Sequence, residues 1–152
     1  GFYLPNPPKD NQSFSTFDGK ASFSVNEIPD NSNEEGYLTM MTIRSHDQYN
    51  TTIYGLDDRY RGIKGNRYVV LMNEFDIEEL GFSPQQDVKI ICDMDGINRE
   101  VNGFKILKYD IPKGCVATYF PEANPLIPIS HIARKSNTPA SKSVPVRFES
   151  LN

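Results

Sequence analysis

Short apolar runs separated by polar, turn-forming breaks dominate the chain from residue 37 onward. Tyr37-Leu38-Thr39-Met40-Met41-Thr42-Ile43 has the β-branched and aromatic content of a strand. Tyr68-Val69-Val70-Leu71-Met72 is apolar without alternation, which predicts a strand buried on both faces. The period then changes. Asn73 can cap a short helix, acidic residues fill its first turn, Gly81 can end it, and Phe75, Ile77 and Leu80 give it an apolar side. Pro84-Gln85-Gln86-Asp87 reads as a turn into a strand over 88–92. Asp95-Gly96 is a hairpin signal, and two strands are predicted beyond it, over 97–101 and 104–109, with Asn102-Gly103 as a tight turn between them. Strands over 115–120 and 144–148 complete the pattern. One short helix among many short strands predicts a mainly β fold, a small barrel.

Two stretches lie outside this pattern. Residues 1–36 are rich in proline and polar groups, with Pro5, Pro7, Pro8 and the loop Asp30-Asn31-Ser32-Asn33-Glu34-Glu35-Gly36. Phe14, Phe17 and Phe23 are their strong apolar anchors, and Gly19-Lys20-Ala21-Ser22-Phe23 is a candidate short strand. The expected organisation is an arm or linker over 1–36, draped over a barrel domain spanning 37–152; such arms usually connect to more protein. Residues 121–143 form a long, proline-rich segment, which in a compact domain is functional or disordered. Pro125 and Pro128 fix its backbone and favour order, and Asn124, preceding a proline, is held out of helix.

The densest polar and aromatic run, residues 42–55, follows directly on the first strand. A strand that delivers its end into such a segment presents side chains to a ligand. Arg44, Ser45, Gln48, Asn50, Thr51 and Thr52 offer donors for phosphate and carbonyl oxygens, and Lys142, just before the last strand, can reach a phosphate as a point charge. Composition narrows the classes. Among 152 residues, 38% are hydrophobic and 24% charged, as in a soluble globular domain. The net charge of −4 argues against a general nucleic-acid binder while leaving room for a local basic pocket. Cys92 and Cys115 make neither a disulfide framework nor a zinc spacing, and Cys92 reads as a small core residue. No apolar run approaches spanning length and nothing resembles a signal peptide, so no membrane insertion is expected and the cytoplasm is the default compartment.

Three blocks occur in order: Arg44-Ser45-His46-Asp47-Gln48-Tyr49-Asn50-Thr51; Asn73, Asp76-Ile77, Leu80-Gly81 and Asp87-Val88; and Pro121-Glu122-Ala123-Asn124-Pro125-Leu126 with Thr138-Pro139-Ala140-Ser141-Lys142. Over residues 37–149 this set resembles the C-terminal domain of the molybdopterin oxidoreductases, most narrowly the formate dehydrogenase α-subunit-like group. The resemblance implies a double-psi β-barrel that forms part of the wall around a molybdopterin guanine dinucleotide. Carried over by motif, the contacts are Arg44, His46, Gln48, Tyr49, Asn50, Thr51, Asn124 and Lys142. It further implies a bis form of the cofactor, with molybdenum or tungsten held by upstream domains of the same polypeptide. An upstream 4Fe-4S cluster and an electron-transfer subunit are implied as well, and the isolated domain is expected to be inactive. Two positions depart from the pattern. Gln48 stands where many members have His, and Gln86 where a glycine usually precedes the Asp of the turn.

The chemistry of the residues agrees with an anionic, ring-bearing ligand. Arg, Lys and hydroxyl donors suit a pyrophosphate, Asn or Gln can pair with a pterin edge, and Tyr49 and Tyr54 can stack on a ring. Other constellations are weaker. Ser45-His46-Asp47 are sequential, and neighbours on an extended chain point apart, which does not suit a relay. Cys115 with His131 lacks a strained nucleophile turn. Asp57-Asp58 beside Arg59 and Arg61 reads as an ion-paired surface before it reads, with His46 and Asp47, as a metal site. Tyr54, Arg59, Tyr60 and Arg61 could serve RNA, but the acidic balance opposes it. The alternative outside the cofactor class is a structural or interaction β-barrel domain.

Overall fold

The structure, a computed structural model, describes residues 1–28, 30 and 32–151. In chain order its elements are α1 (Pro7–Asp10), β1 (Leu38–Ile43), β2 (Asp57–Asp58), β3 (Ile63–Lys64), β4 (Val69–Met72), α2 (Glu74–Glu79), β5 (Asp87–Cys92), β6 (Arg99–Lys108), β7 (Cys115–Tyr119) and β8 (Val144–Ser150). Two single 3₁₀ turns lie at Met94–Gly96 and Asn124–Leu126. Among the described residues no helix is long and apolar enough to cross a membrane. The chain divides into two units, Gly1–Asp30 and Asn31–Asn152.

Six strands close into a barrel in the order β1-β7-β4-β6-β5-β8, and a separate β2-β3 ribbon is antiparallel. The β1/β7 and β4/β6 pairs are parallel, and the other four neighbours are antiparallel. This is the mainly β, double-psi barrel expected from the sequence. Its register decides where loops emerge. Ile43 at the end of β1 lies opposite Tyr119 at the end of β7, so residues 44 and 120 leave at the same end. β4 runs against β7 with Val70 opposite Thr118, and β8 runs against β1 with Met40 opposite Val144. The residues that precede β4 and β8 therefore reach that end too.

Alternation sorts the strand residues. Val70 and Met72 of β4 enter the barrel interior with Met40, Val88, Ile90, Cys92, Phe104, Ile106, Val116, Val144 and Val146. Val69 and Leu71 point outward, into a second cluster with Ile63, Ala117 and Tyr119. The unbroken apolar run of β4 thus has two covers, the barrel core on one face and the β2-β3 ribbon, through Ile63, on the other. Ala123 and Leu126 are also fully buried in the main core. They anchor the long 121–143 segment, which is further ordered by a small loop in which Ala133 N–H donates to the Thr138 carbonyl at 2.8 Å.

α2 forms as its caps predict: Phe75 N–H donates to the Asn73 side chain at 2.9 Å, and Gly81 takes φ 73°. Two expectations need correction. Residues 99–108 make one strand, not two, because Asn102-Gly103 is a bulge: Val88 pairs with Phe104 and Ile90 with Val101, so both residues lie opposite Lys89 alone. Gly103, at φ 75°, supplies the left-handed backbone without reversing the chain. In the turn before β5, where Gln86 stands in place of the usual glycine, the left-handed residue is Gln85, at φ 71°. Residues 19–23 form no strand, and Phe17 and Phe23 are fully exposed where anchors were expected, since no strand partner gives them a surface to pack on. Within the first unit, α1 is capped by Asn6, whose side chain accepts from Lys9 N–H at 3.3 Å.

Candidate functional site

The shared end of the barrel is built around Arg67, which lies just before β4 and is 5% exposed. Its Nε donates to Glu122 Oε1 at 2.6 Å and its Nη2 to Glu122 Oε2 at 3.1 Å, a bidentate pair with both partners buried. Nη1 donates to Ser45 Oγ at 2.8 Å, and Nη2 also reaches Gln48 Oε1 at 3.1 Å and the Phe120 carbonyl at 3.0 Å. Tyr54 covers the guanidinium at 3.8 Å and Tyr119 at 4.6 Å. Gln48 is drawn into the same network. Its Oε1 accepts from Ser45 N–H at 3.0 Å, and its Nε2 donates to the Phe120 carbonyl at 2.8 Å. The segments after β1 and β7 are thereby joined.

Beside this network lies a cleft of about 350 Å³ lined by Thr42, Ile43, Arg44, Phe120, Ser141 and Lys142. Thr42 N–H donates to the Ser141 carbonyl at 3.0 Å, which brings the approach to β8 against the end of β1. Lys142 is exposed along its length, yet its ammonium donates to the Thr42 carbonyl. Desolvation there, and then the positive charge of Arg44, hold its pKa below the usual lysine value. Among the described residues neither Arg44 nor Lys142 is in an ion pair. Two neighbouring cations without a carboxylate partner among the described residues make a cleft whose charge suits an anion.

The remaining candidates divide into engaged and open side chains. His46 is half-buried, stacked edge-on against Tyr60 at 3.8 Å between ring centroids, with Nε2 2.9 Å from Arg59 Nη2 and 3.1 Å from Asp47 Oδ1. Asn50 adopts φ 62°, and its Oδ1 accepts from Thr51 N–H at 2.9 Å, the local bond that lets Asn hold a left-handed turn. The Thr51 carbonyl accepts from Gln48 Nε2 at 3.4 Å. Tyr49 is 74% exposed, its backbone bridged to Ile53, and Asn124 is exposed at the start of the 124–126 turn. Arg44, Tyr49 and Asn124 are thus open to a ligand and Lys142 is held at the cleft by the Thr42 carbonyl, while Gln48 is spent on structure and His46 is packed against Tyr60 and Arg59.

Beneath the site the expected ion-paired surface holds for Asp57, exposed and paired with Lys64, and for Arg59, exposed and paired with Asp47, but not for Asp58. Asp58 is buried, pairs with Arg61 Nη1 at 2.6 Å, and accepts from Tyr119 Oη at 2.6 Å. Burial pushes the Asp58 pKa up, but the hydrogen bonds from Tyr119 and Arg61 and the charge of Arg61 outweigh it, leaving the carboxyl below the usual aspartate value. Burial and the bond to Asp58 push the Tyr119 phenol up. Asp58 is buried because the β2-β3 ribbon packs inward to cover β4. Arg67 and Glu122 escaped the sequence reading. The available signal was a lone arginine directly before a doubly buried strand, and a glutamate two positions before Asn124 inside the block from which Asn124 and Lys142 were carried over.

A barrel with this topology, whose cation-lined mouth is formed by the segments after β1 and β7 and before β8, defines a class. The chain belongs to the family described as "Molydopterin dinucleotide binding domain", whose model matches residues 38–145. A molybdopterin dinucleotide is accordingly the ligand class of this domain. The chain is 48% identical to an uncharacterized oxidoreductase of Mycobacterium tuberculosis over 98% of its own length and 20% of that protein. It is 36% identical to protein YdeP of Escherichia coli over 100% of its length and 21% of that protein. It therefore spans about a fifth of the length of these curated relatives. Among solved structures, acetylene hydratase from Pelobacter acetylenicus shares the fold, with a TM-score of 0.52 and 10% identity over 75% of this chain and 18% of that one.

Proposed function

We propose that this domain holds the phosphorylated part of a molybdopterin guanine dinucleotide at the Arg44–Lys142 cleft, within a larger molybdenum- or tungsten-dependent oxidoreductase of the formate dehydrogenase-like kind. The observation that carries it is the convergence of Arg44 and Lys142 on one cleft with no carboxylate partner among the described residues. The donor set fits the group, since a pyrophosphate takes up guanidinium, ammonium and backbone N–H donors. Asn124 and Tyr49, open at the same end of the barrel, would serve the ring edge and ring face of the pterin, and Thr51 and Asn50 the backbone form of the loop. When bound, the cofactor supplies the redox chemistry. This chain supplies charge complementarity and one wall of the pocket.

The relatives' names and lengths support a parent in which the domain is one part of several, with residues 1–36 as the linker and the metal ligand elsewhere in the polypeptide. The bis form of the cofactor, an upstream 4Fe-4S cluster, an electron-transfer subunit and a cytoplasmic location belong to the same proposal. The isolated chain should be inactive, and turnover of formate by the pure 152-residue chain with an artificial acceptor would contradict it. The binding test is calorimetric. Pyrophosphate should bind weakly, since one wall retains only part of the contacts, and binding should weaken with added salt. Arg44→Ala and Lys142→Ala should each abolish it with the fold unchanged; unaltered affinity in both would reject the site.

A further inference from the structure

We propose that Arg67 is the positioning residue of this site: it locks the segment after β1 to the segment after β7 and, neutralised by Glu122, shapes the anion cleft without binding the anion. The inference rests on the anion reading above for its ligand arm alone. All three guanidinium nitrogens are engaged, Nε with Glu122 at 2.6 Å, Nη1 with Ser45 at 2.8 Å, and Nη2 with Gln48 at 3.1 Å and the Phe120 carbonyl at 3.0 Å. Tyr54 and Tyr119 lie against it, and the side chain is 5% exposed, so no ligand reaches its charge. Ser45 follows Arg44 directly, whereas Phe120 and Glu122 lead to Asn124. The distance between the cationic cleft and the Asn124 side of the pocket is therefore set through one planar group. A lysine would keep the charge but not the fork, which has to satisfy a bidentate carboxylate and three further acceptors at once.

The test uses the ¹⁵N-labelled 152-residue chain, with pyrophosphate as the probe. In Arg67→Lys, without ligand, amides of 44–54 and of 120–124 should shift together while those of β5 and β6 hold. Pyrophosphate should then bind about tenfold more weakly, the scale of coupling found between residues of one hydrogen-bonded network. Glu122→Gln should weaken binding as well; if it tightens binding, the freed Arg67 is an anion ligand and the proposal is overturned. It is equally overturned if Arg67→Lys leaves the two segments unshifted, or if it disturbs the barrel strands as strongly as the loops. Should either variant fail to fold, Ser45→Ala carries the test, because removing one Arg67 partner must shift the amides of 120–124, far away in sequence. A shift confined to 44–48 then overturns it. If pyrophosphate leaves the wild-type spectrum unmoved, the anion reading fails on its own, and the ligand-free shifts still decide the locking role.

Discussion

Two titratable groups behave differently for reasons visible around them. Lys142 has its ammonium desolvated against the Thr42 carbonyl and facing Arg44, so its pKa is lowered in the folded chain. The unfolded chain then holds its proton at a pH where the folded chain has released it, so stability rises as pH climbs from the lowered value toward that of a free lysine. An arriving anion removes the repulsion, and Lys142 should regain basicity. NMR titration of the Lys142 side chain should show a higher pKa with pyrophosphate than without; an unchanged value would separate Lys142 from the anion. Asp58 has the opposite sign. Its lowered carboxyl contributes stability fully above the ordinary aspartate value and loses it as pH falls through the folded pKa. Asp58→Ala, which leaves Arg61 and the Tyr119 hydroxyl without their partner, should cost about 3 kcal/mol in urea unfolding at neutral pH. Asp58→Asn should flatten the acid limb of the stability curve.

Elements defined by local pattern could be read directly, and those defined by distant pairing could not. β1, β4, β5, β7 and β8 lie within a residue or two of where their apolar runs place them, and α2 follows from Asn73 and Gly81. Two-residue strands such as Asp57–Asp58 and Ile63–Lys64 have no pattern to read; they exist because the outer face of β4 needs a cover. Asn102-Gly103 marks a left-handed backbone correctly, but the same pair serves a hairpin or a bulge, and only the pairing with Lys89 decides. The Arg67–Glu122 pair spans 55 positions, so each partner on its own reads as a solvated charge. Two substitutions probe these elements. A Cβ at residue 103 meets nothing within 4 Å, so Gly103→Ala should cost only the left-handed penalty, about 1 kcal/mol, in denaturant unfolding. Asn73→Ala removes the cap and a bond to the Ile111 carbonyl at 2.7 Å, and should cost about 1–2 kcal/mol.

At the scale of the whole barrel, the parallel β1/β7 pair places two long, donor-rich segments at one end, and the antiparallel runs of β4 and β8 bring Arg67 and Lys142 to the same place. The proposed function accordingly rests on this one end of the barrel. Titrating guanosine diphosphate into the ¹⁵N-labelled chain is the most direct test. The amides of Thr42, Ile43, Arg44, Ser141 and Lys142 should move first and saturate together, and Arg44→Ala or Lys142→Ala should abolish those shifts in a barrel that is otherwise unchanged. Shifts that cluster on α2, or that persist in both variants, would contradict the placement of the dinucleotide at this end of the barrel.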